Sequence, residues 1–126
     1  ITKGEFEDVT WGKYGEDVPG STSRTDGLAN TDAMVLSHCP AALKVRELTI
    51  DGHADWYLPS LGEQNSAAAN VPELFDAEGD YWTSTQFSRD GAFVQDFEYG
   101  LSRWGGKGLR RRVRAFRRVQ LDLLNT

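Results

Sequence analysis

The chain has one cysteine, four prolines and no apolar run near membrane-spanning length among its 126 residues. A single Cys39 excludes an internal disulfide and any multi-cysteine zinc site, and its apolar neighbours give it the reading of a small buried hydrophobe. With no stretch approaching the roughly 20 apolar residues that cross a bilayer, membrane insertion is not expected. The opening "ITKGEFEDVTWGKYG" has neither a basic n-region nor an apolar h-region, so it does not read as a signal peptide. It also has no initiator Met, which suggests the tip of a longer protein. Acidic residues are missing from the most basic stretch: Arg103 to Arg118 carries eight Lys and Arg and no Asp or Glu.

What remains is a soluble, globular composition, with 39% hydrophobic and 26% charged residues. One domain over 1–126 is expected at this length, with an N-terminal strand and connection over 1–26, a core over 27–119 and a tail over 120–126. The net charge of −5 argues against nucleic acid, whose binding domains are usually basic overall.

Local patterns give an α+β class. A first strand is expected around Phe6 to Trp11. Helical spacing of Ala33, Leu36, Cys39 and Leu43 marks a first helix capped by Asn30 or Thr31, which places His38 in that helix. Pro40 must kink it, or end it and start a second piece with proline in the first turn. Ser60 and Glu63 form a capping box that opens another helix to about Ala69. Leu74 and Phe75 should point inward from a loop. "YWTST", "AFVQDFEYG" and "RVRAFRRV" read as strands of an antiparallel sheet, while "GLSRWGGKGLR" looks too glycine-rich to be regular.

The order of "ANT", "DGHADWYLPS", "YWTST", "DFEYG" and "RVRAFRR" over about residues 27–119 resembles the C-type-lectin-like domain family of unknown function at the C-terminus of collagen-like bacterial adhesins. Thr83 stands where that family usually has Ser, Phe116 where it has a smaller apolar residue, and Pro40 interrupts the first helix. The resemblance implies two helices packed on a twisted antiparallel sheet, a long irregular ligand-binding loop region, and neighbouring termini. It also implies adhesion, including to sulfated polysaccharides, and frequent trimers. Relatives with this architecture include retroelement-diversified receptor-binding proteins of phages and bacteria. Their variable positions would fall here among Gln86–Asp90 and Glu98–Arg111.

Within those ranges the candidate ligand-binding residues are Gln86, Ser88, Arg89, Asp90, Glu98, Tyr99, Ser102, Arg103, Trp104, Lys107, Arg110 and Arg111. Tyr99 and Trp104 supply flat anchors, and Arg103, Lys107, Arg110 and Arg111 supply donors for sulfate, phosphate or carboxylate. Arg114, Arg117 and Arg118 are assigned a structural role beside the chain's acids. Asp51, His53 and Asp55 alternate as metal ligands would, but a turn at Asp51–Gly52 with Asp55 held by backbone donors explains them as well. The paired motifs of calcium-dependent sugar-binding lectins are missing: "VPE" and "WTS" stand instead. Formylglycine-generating oxidases share the architecture but need cysteines. Neither a catalytic residue set nor a cofactor is therefore assigned. The expected function is non-enzymatic recognition of a host cell-surface protein or an acidic or sulfated glycan. The setting would be a phage tail tip, a virion surface or a bacterial surface adhesin. An assembly module docking through the basic stretch is the alternative.

Overall fold

A computed structural model describes residues 4–119; the expected 120–126 tail lies outside the described residues. The class is α+β, with strands β1 (Glu5–Thr10), β2 (Asp80–Gln86), β3 (Gly91–Asp96), β4 (Ser102–Gly106) and β5 (Arg110–Arg114). Helices α1 (Gly27–Leu36), α2 (Pro40–Arg46) and α3 (Leu61–Asn70) precede β2.

The expected first helix is two helices, so three pack where two were anticipated. Proline has no N–H to give and forces the preceding residue out of the helical region. Cys39 is accordingly extended, at φ −72° and ψ 123°, and Pro40 opens α2. His38 is not helical: it takes a left-handed φ of 59° between the two helices. The cap also moves. Asp26, not Asn30 or Thr31, accepts the Ala29 N–H and starts α1. The buried face of α1 is Gly27, Asn30, Thr31 and Met34, whereas Leu36 is 82% exposed. Asn30 accepts from Ser23 N and donates to Ser23 O and Ser84 Oγ. Thr31 Oγ1 accepts from Leu58 N at 2.9 Å. A polar helix face is thus buried because each of its groups has a partner.

The Ser60–Glu63 capping box is present. Glu63 does more than cap: Oε1 accepts from both Ser60 N and Gly27 N at 2.9 Å, and Oε2 accepts from the Tyr57 hydroxyl at 2.6 Å. The start of α3 is therefore tied to the start of α1. Tyr57 in turn exchanges two backbone hydrogen bonds with Phe116.

The sheet order is β1-β5-β2-β3-β4. It is mixed, not antiparallel as expected, because β5 crosses back to the far side of β2 and runs parallel to it at Tyr81↔Arg112. That parallel junction has one registered pair, while β3 and β4 are paired over five positions. Side chains reinforce it: Trp82 Nε1 donates to Val9 O and Trp11 Nε1 to Thr83 O, both at 2.8 Å, and both indoles are fully buried.

Adjacent residues of a strand face opposite sides of a sheet, and Tyr81 and Trp82 divide two cores in this way. Trp82, Val94, Val113 and Trp11 pack with Met34, Val45 and Leu58 from the α1–α2 side. Tyr81 packs with Phe75, Phe97 and Ala67. Phe75 and Phe97 stack at 3.9 Å. Phe75 points inward as expected, but Leu74 is 53% exposed, because the 3-10 turn Pro72–Leu74 carries no buried residue.

Two outcomes follow. A Cβ on Gly27 would lie 2.5 Å from Glu63 Oε1 and 2.7 Å from Leu58 O. Gly27→Ala should therefore cost about 1–3 kcal/mol in urea unfolding, as overpacked sites do. Burial pushes the phenols of Tyr57 and Tyr81 up to about 12. The folded chain then holds protons that the unfolded chain releases near pH 10. The stability these two groups supply is complete below pH 10 and is lost as pH rises toward 12. Urea midpoints should fall across that window, and less steeply in Tyr57→Phe.

Candidate ligand-binding face

The glycine-rich stretch is not a long irregular loop. β4 runs through it, and glycines in β4 and in the facing β3 make room for side chains. A Cβ on Gly105 would lie 2.6 Å from Arg111 Nη2, and one on Gly91 would lie 2.7 Å from Trp104 Cε3. Trp104 leans over Gly91, opposite Phe93 in the β3–β4 ladder.

That placement builds an aromatic face. Trp104 and Phe87 stack with ring centroids 5.1 Å apart and planes 8° from parallel. They are 54% and 50% exposed. Phe93 meets Phe87 edge-on at 5.4 Å, and the Arg24 guanidinium lies 5.2 Å from the Phe93 ring centroid. Tyr14 and Leu109 extend the exposed apolar surface beside Gly106. Two aromatic rings on the β3–β4 ladder and one on the β2–β3 turn present a platform suited to a flat or apolar group.

The anticipated cationic cluster is divided among other tasks. Lys107 is fully buried and is not a ligand residue. Its ammonium donates to Gln86 Oε1 at 2.6 Å and Glu16 O at 2.7 Å, and lies 4.8 Å from the Trp11 ring centroid. Burial holds its pKa below the usual lysine range. Gln86 is also removed from the ligand set: buried, it receives Val18 N and donates to Val18 O and Asp17. Arg103 and Arg111 share one carboxylate oxygen of Asp80, at 2.5 and 2.7 Å. Arg111 further lies 5.3 Å from the Trp82 ring centroid. Arg110 is exposed on β5, with no carboxylate partner among the described residues.

The remaining candidates separate as well. Ser88 Oγ accepts from Asp90 N and Gly91 N, which shapes the β2–β3 turn. Arg89 is exposed and lies 4.0 Å from Asp90. Asp90 O receives the Lys107 N–H. Ser102 Oγ sits 2.6 Å from Asn65 Oδ1 and 2.9 Å from Gln95 Oε1. Glu98 and Tyr99 donate their N–H groups to the Asp96 carboxylate in the β3–β4 turn. Tyr99 is 74% exposed there, but Trp104 leans away from that turn, so the two expected anchors do not form one patch.

The assignment of the later arginines to structural roles agrees with their contacts. Arg114 donates to Leu74 O and lies over Phe75. Arg117 pairs with Asp55 at 2.6 Å, and Arg118 with Asp26 at 2.8 Å. Asp55 is thus held chiefly by Arg117, with its own backbone N–H as a lesser donor, and the Arg117 hydrogen bond lowers its pKa. Asp51 and Gly52 form a left-handed turn closed by Ile50 and His53. Among the described residues no three His, Cys, Asp or Glu side chains converge as a metal site would require. No helix is long and apolar enough to cross a membrane among those residues.

Residue-by-residue reasoning missed Phe87, Phe93 and Arg24. Phe87 lay inside the expected range Gln86–Asp90, but only polar neighbours were chosen from it. Phe93 belongs to an alternating strand whose outward side cannot be told from alternation alone. Arg24 reaches the face from the irregular segment before α1, where no spacing rule connects it to β3.

No known protein-family model matches the chain, and no curated protein is similar to it at a significant level.

Lys107→Met separates a structural lysine from a ligand-binding one. Glu16 O loses its side-chain donor, and unfolding should become easier by about 1–3 kcal/mol, the usual cost of an unsatisfied buried group. Denaturant titration reads this directly. Unchanged stability would contradict the structural role.

Proposed function

We propose that the chain is a non-enzymatic recognition domain of the C-type-lectin-like kind, carried at a phage tail tip or on a bacterial surface. It binds a host-surface receptor or glycan through the aromatic face of β3, β4 and the β2–β3 turn. The observation that carries this reading is the stacked Phe87–Trp104 pair, half exposed on a rigid ladder. Aromatic rings left in water at such a place favour a contact that removes them from it. The α+β layout and the meeting of the first described residues with the last strand, where Gly4 O accepts from Ala115 N at 2.8 Å, support the family resemblance.

In this mechanism Trp104 and Phe87 supply the stacking surface. Arg24 and Arg89, at or near its rim, orient anionic or polar groups. Arg103 and Arg111 contribute less charge than their number suggests, since Asp80 neutralises part of it. Affinity should then depend more on the rings than on salt.

The combined variant Phe87→Ala/Trp104→Ala tests this. Binding to host cells or to an array of acidic and neutral glycans should fall at least tenfold, while circular dichroism is unchanged. Raising salt from low to physiological should change parental binding by less than about tenfold. A folded double variant that binds as well as the parent would overturn the proposal.

A further inference from the structure

The two edges of the sheet are built differently. β1 is guarded: its register shifts between Phe6 and Val9, Asp8 adopts a left-handed φ of 56°, and Glu7 and Asp8 are exposed there. A bulge and charges of this kind block pairing with another strand. β4, at the other edge, keeps an unbroken five-pair register with β3. Its sequence is "SRWGG", and its one charge, Arg103, is already paired with Asp80.

The hydrogen-bonding phase of this edge can be read from its two flanks. Asp96 N donates to Leu101 O at one end of the ladder, and Lys107 N donates to Asp90 O at the other. Antiparallel ladders alternate, so Leu101, Arg103, Gly105 and Lys107 turn their backbone groups toward β3. Ser102, Trp104 and Gly106 therefore turn N–H and C=O outward. The Gly106 C=O already receives the Leu109 N–H at 3.1 Å; among the described residues no other backbone group meets the outward N–H and C=O groups of Ser102 and Trp104 or the Gly106 N–H.

We propose that this edge pairs with the same edge of a second copy, antiparallel about a twofold axis through Trp104. In that register the two Trp104 residues exchange two backbone hydrogen bonds. Each Ser102 C=O accepts from Gly106 N of the other copy, and each Ser102 N–H donates to Gly106 O, which takes it as a second hydrogen bond beside Leu109 N. Arg103 then stands opposite Gly105, so the two arginines avoid each other and meet residues without side chains. Opposed residues of an antiparallel pair share a face, and both Trp104 side chains lie on the same side. The aromatic face continues from one copy to the next. Shifting the register by one residue would bring Arg103 opposite Trp104 or Arg103 itself nearer its copy, and would misalign the outward groups. Among the registers that align the outward groups, this one engages all three of Ser102, Trp104 and Gly106, the self-complementarity that a twofold interface requires.

This inference does not rest on the recognition reading. Ser102→Pro removes an outward N–H while keeping both Phe87 and Trp104, so loss of pairing and loss of ligand binding can be told apart. Sedimentation equilibrium of the chain should give twice the 14.0 kDa monomer mass. Ser102→Pro and, separately, Trp104→Lys should each raise the dissociation constant at least tenfold, with circular dichroism showing that the fold is kept. Hydrogen exchange needs no variant: the amides of Ser102, Trp104 and Gly106 should slow as protein concentration rises. A monomer at every concentration, a trimer, a dimer indifferent to Ser102→Pro, or concentration-independent exchange at those amides would each overturn the proposal.

Discussion

The burial of Lys107 is the constraint around which the second half of the fold is arranged. Between β4 and β5 the chain must cross from one edge of the sheet to the far side of β2 in three residues. Lys107 holds that crossing with its whole length. Its N–H goes to Asp90, its carbonyl receives Trp11 and Gly12, and its ammonium reaches Glu16 and Gln86. An ammonium is expensive to bury, and here no carboxylate lies within ion-pair distance among the described residues. Two oxygen acceptors and the Trp11 face compensate instead. The exposed aromatic face depends on this, because β4 can lie flat on β3 only if the chain after Gly106 turns sharply inward.

Charge in the last third follows the same logic. Eight cations and no acids from Arg103 to Arg118 suggest an electropositive surface when read as a string. In three dimensions the acids come from elsewhere in the chain: Asp80 for Arg103 and Arg111, Glu5, Glu7 and Asp76 for Arg112, and Asp55 and Asp26 for the arginines after β5. Segregated charge in sequence has become paired charge in space. Most of these pairs are partly exposed and individually contribute little. Their larger effect is to remove a positive field that would otherwise dominate the aromatic face.

The parts legible from residue order were those governed by local rules. The Ser60–Glu63 capping box, the Asp51–Gly52 turn, the break at Pro40 and the burial of Tyr81, Trp82 and Cys39 all follow from short-range chemistry. What escaped depended on distant partners. Asn30 and Thr31 looked like caps because cap preference is local, yet they bond to Ser23, Ser84 and Leu58. Glycines in β4 looked like loop because glycine weakens strands. Gly105 admits Arg111, as Gly91 on the neighbouring β3 admits Trp104, and no window of sequence reveals either contact. Lys107 reads as a ligand residue for the same reason: an isolated lysine in a basic stretch gives no hint that Trp11 and Gln86 enclose it.

The single-pair junction between β2 and β5 has a mechanical consequence. If the molecule is held at Gly4 and pulled at the aromatic face, tension runs from β4 through β3 and β2 into β5 and β1. The ladders on either side share that tension over several rungs, but the junction has one. Across it, the force falls on the reciprocal indole hydrogen bonds of Trp11 and Trp82 and on the Lys107 crossing. Resistance to unfolding under such a load is therefore set by buried side chains far from the aromatic face.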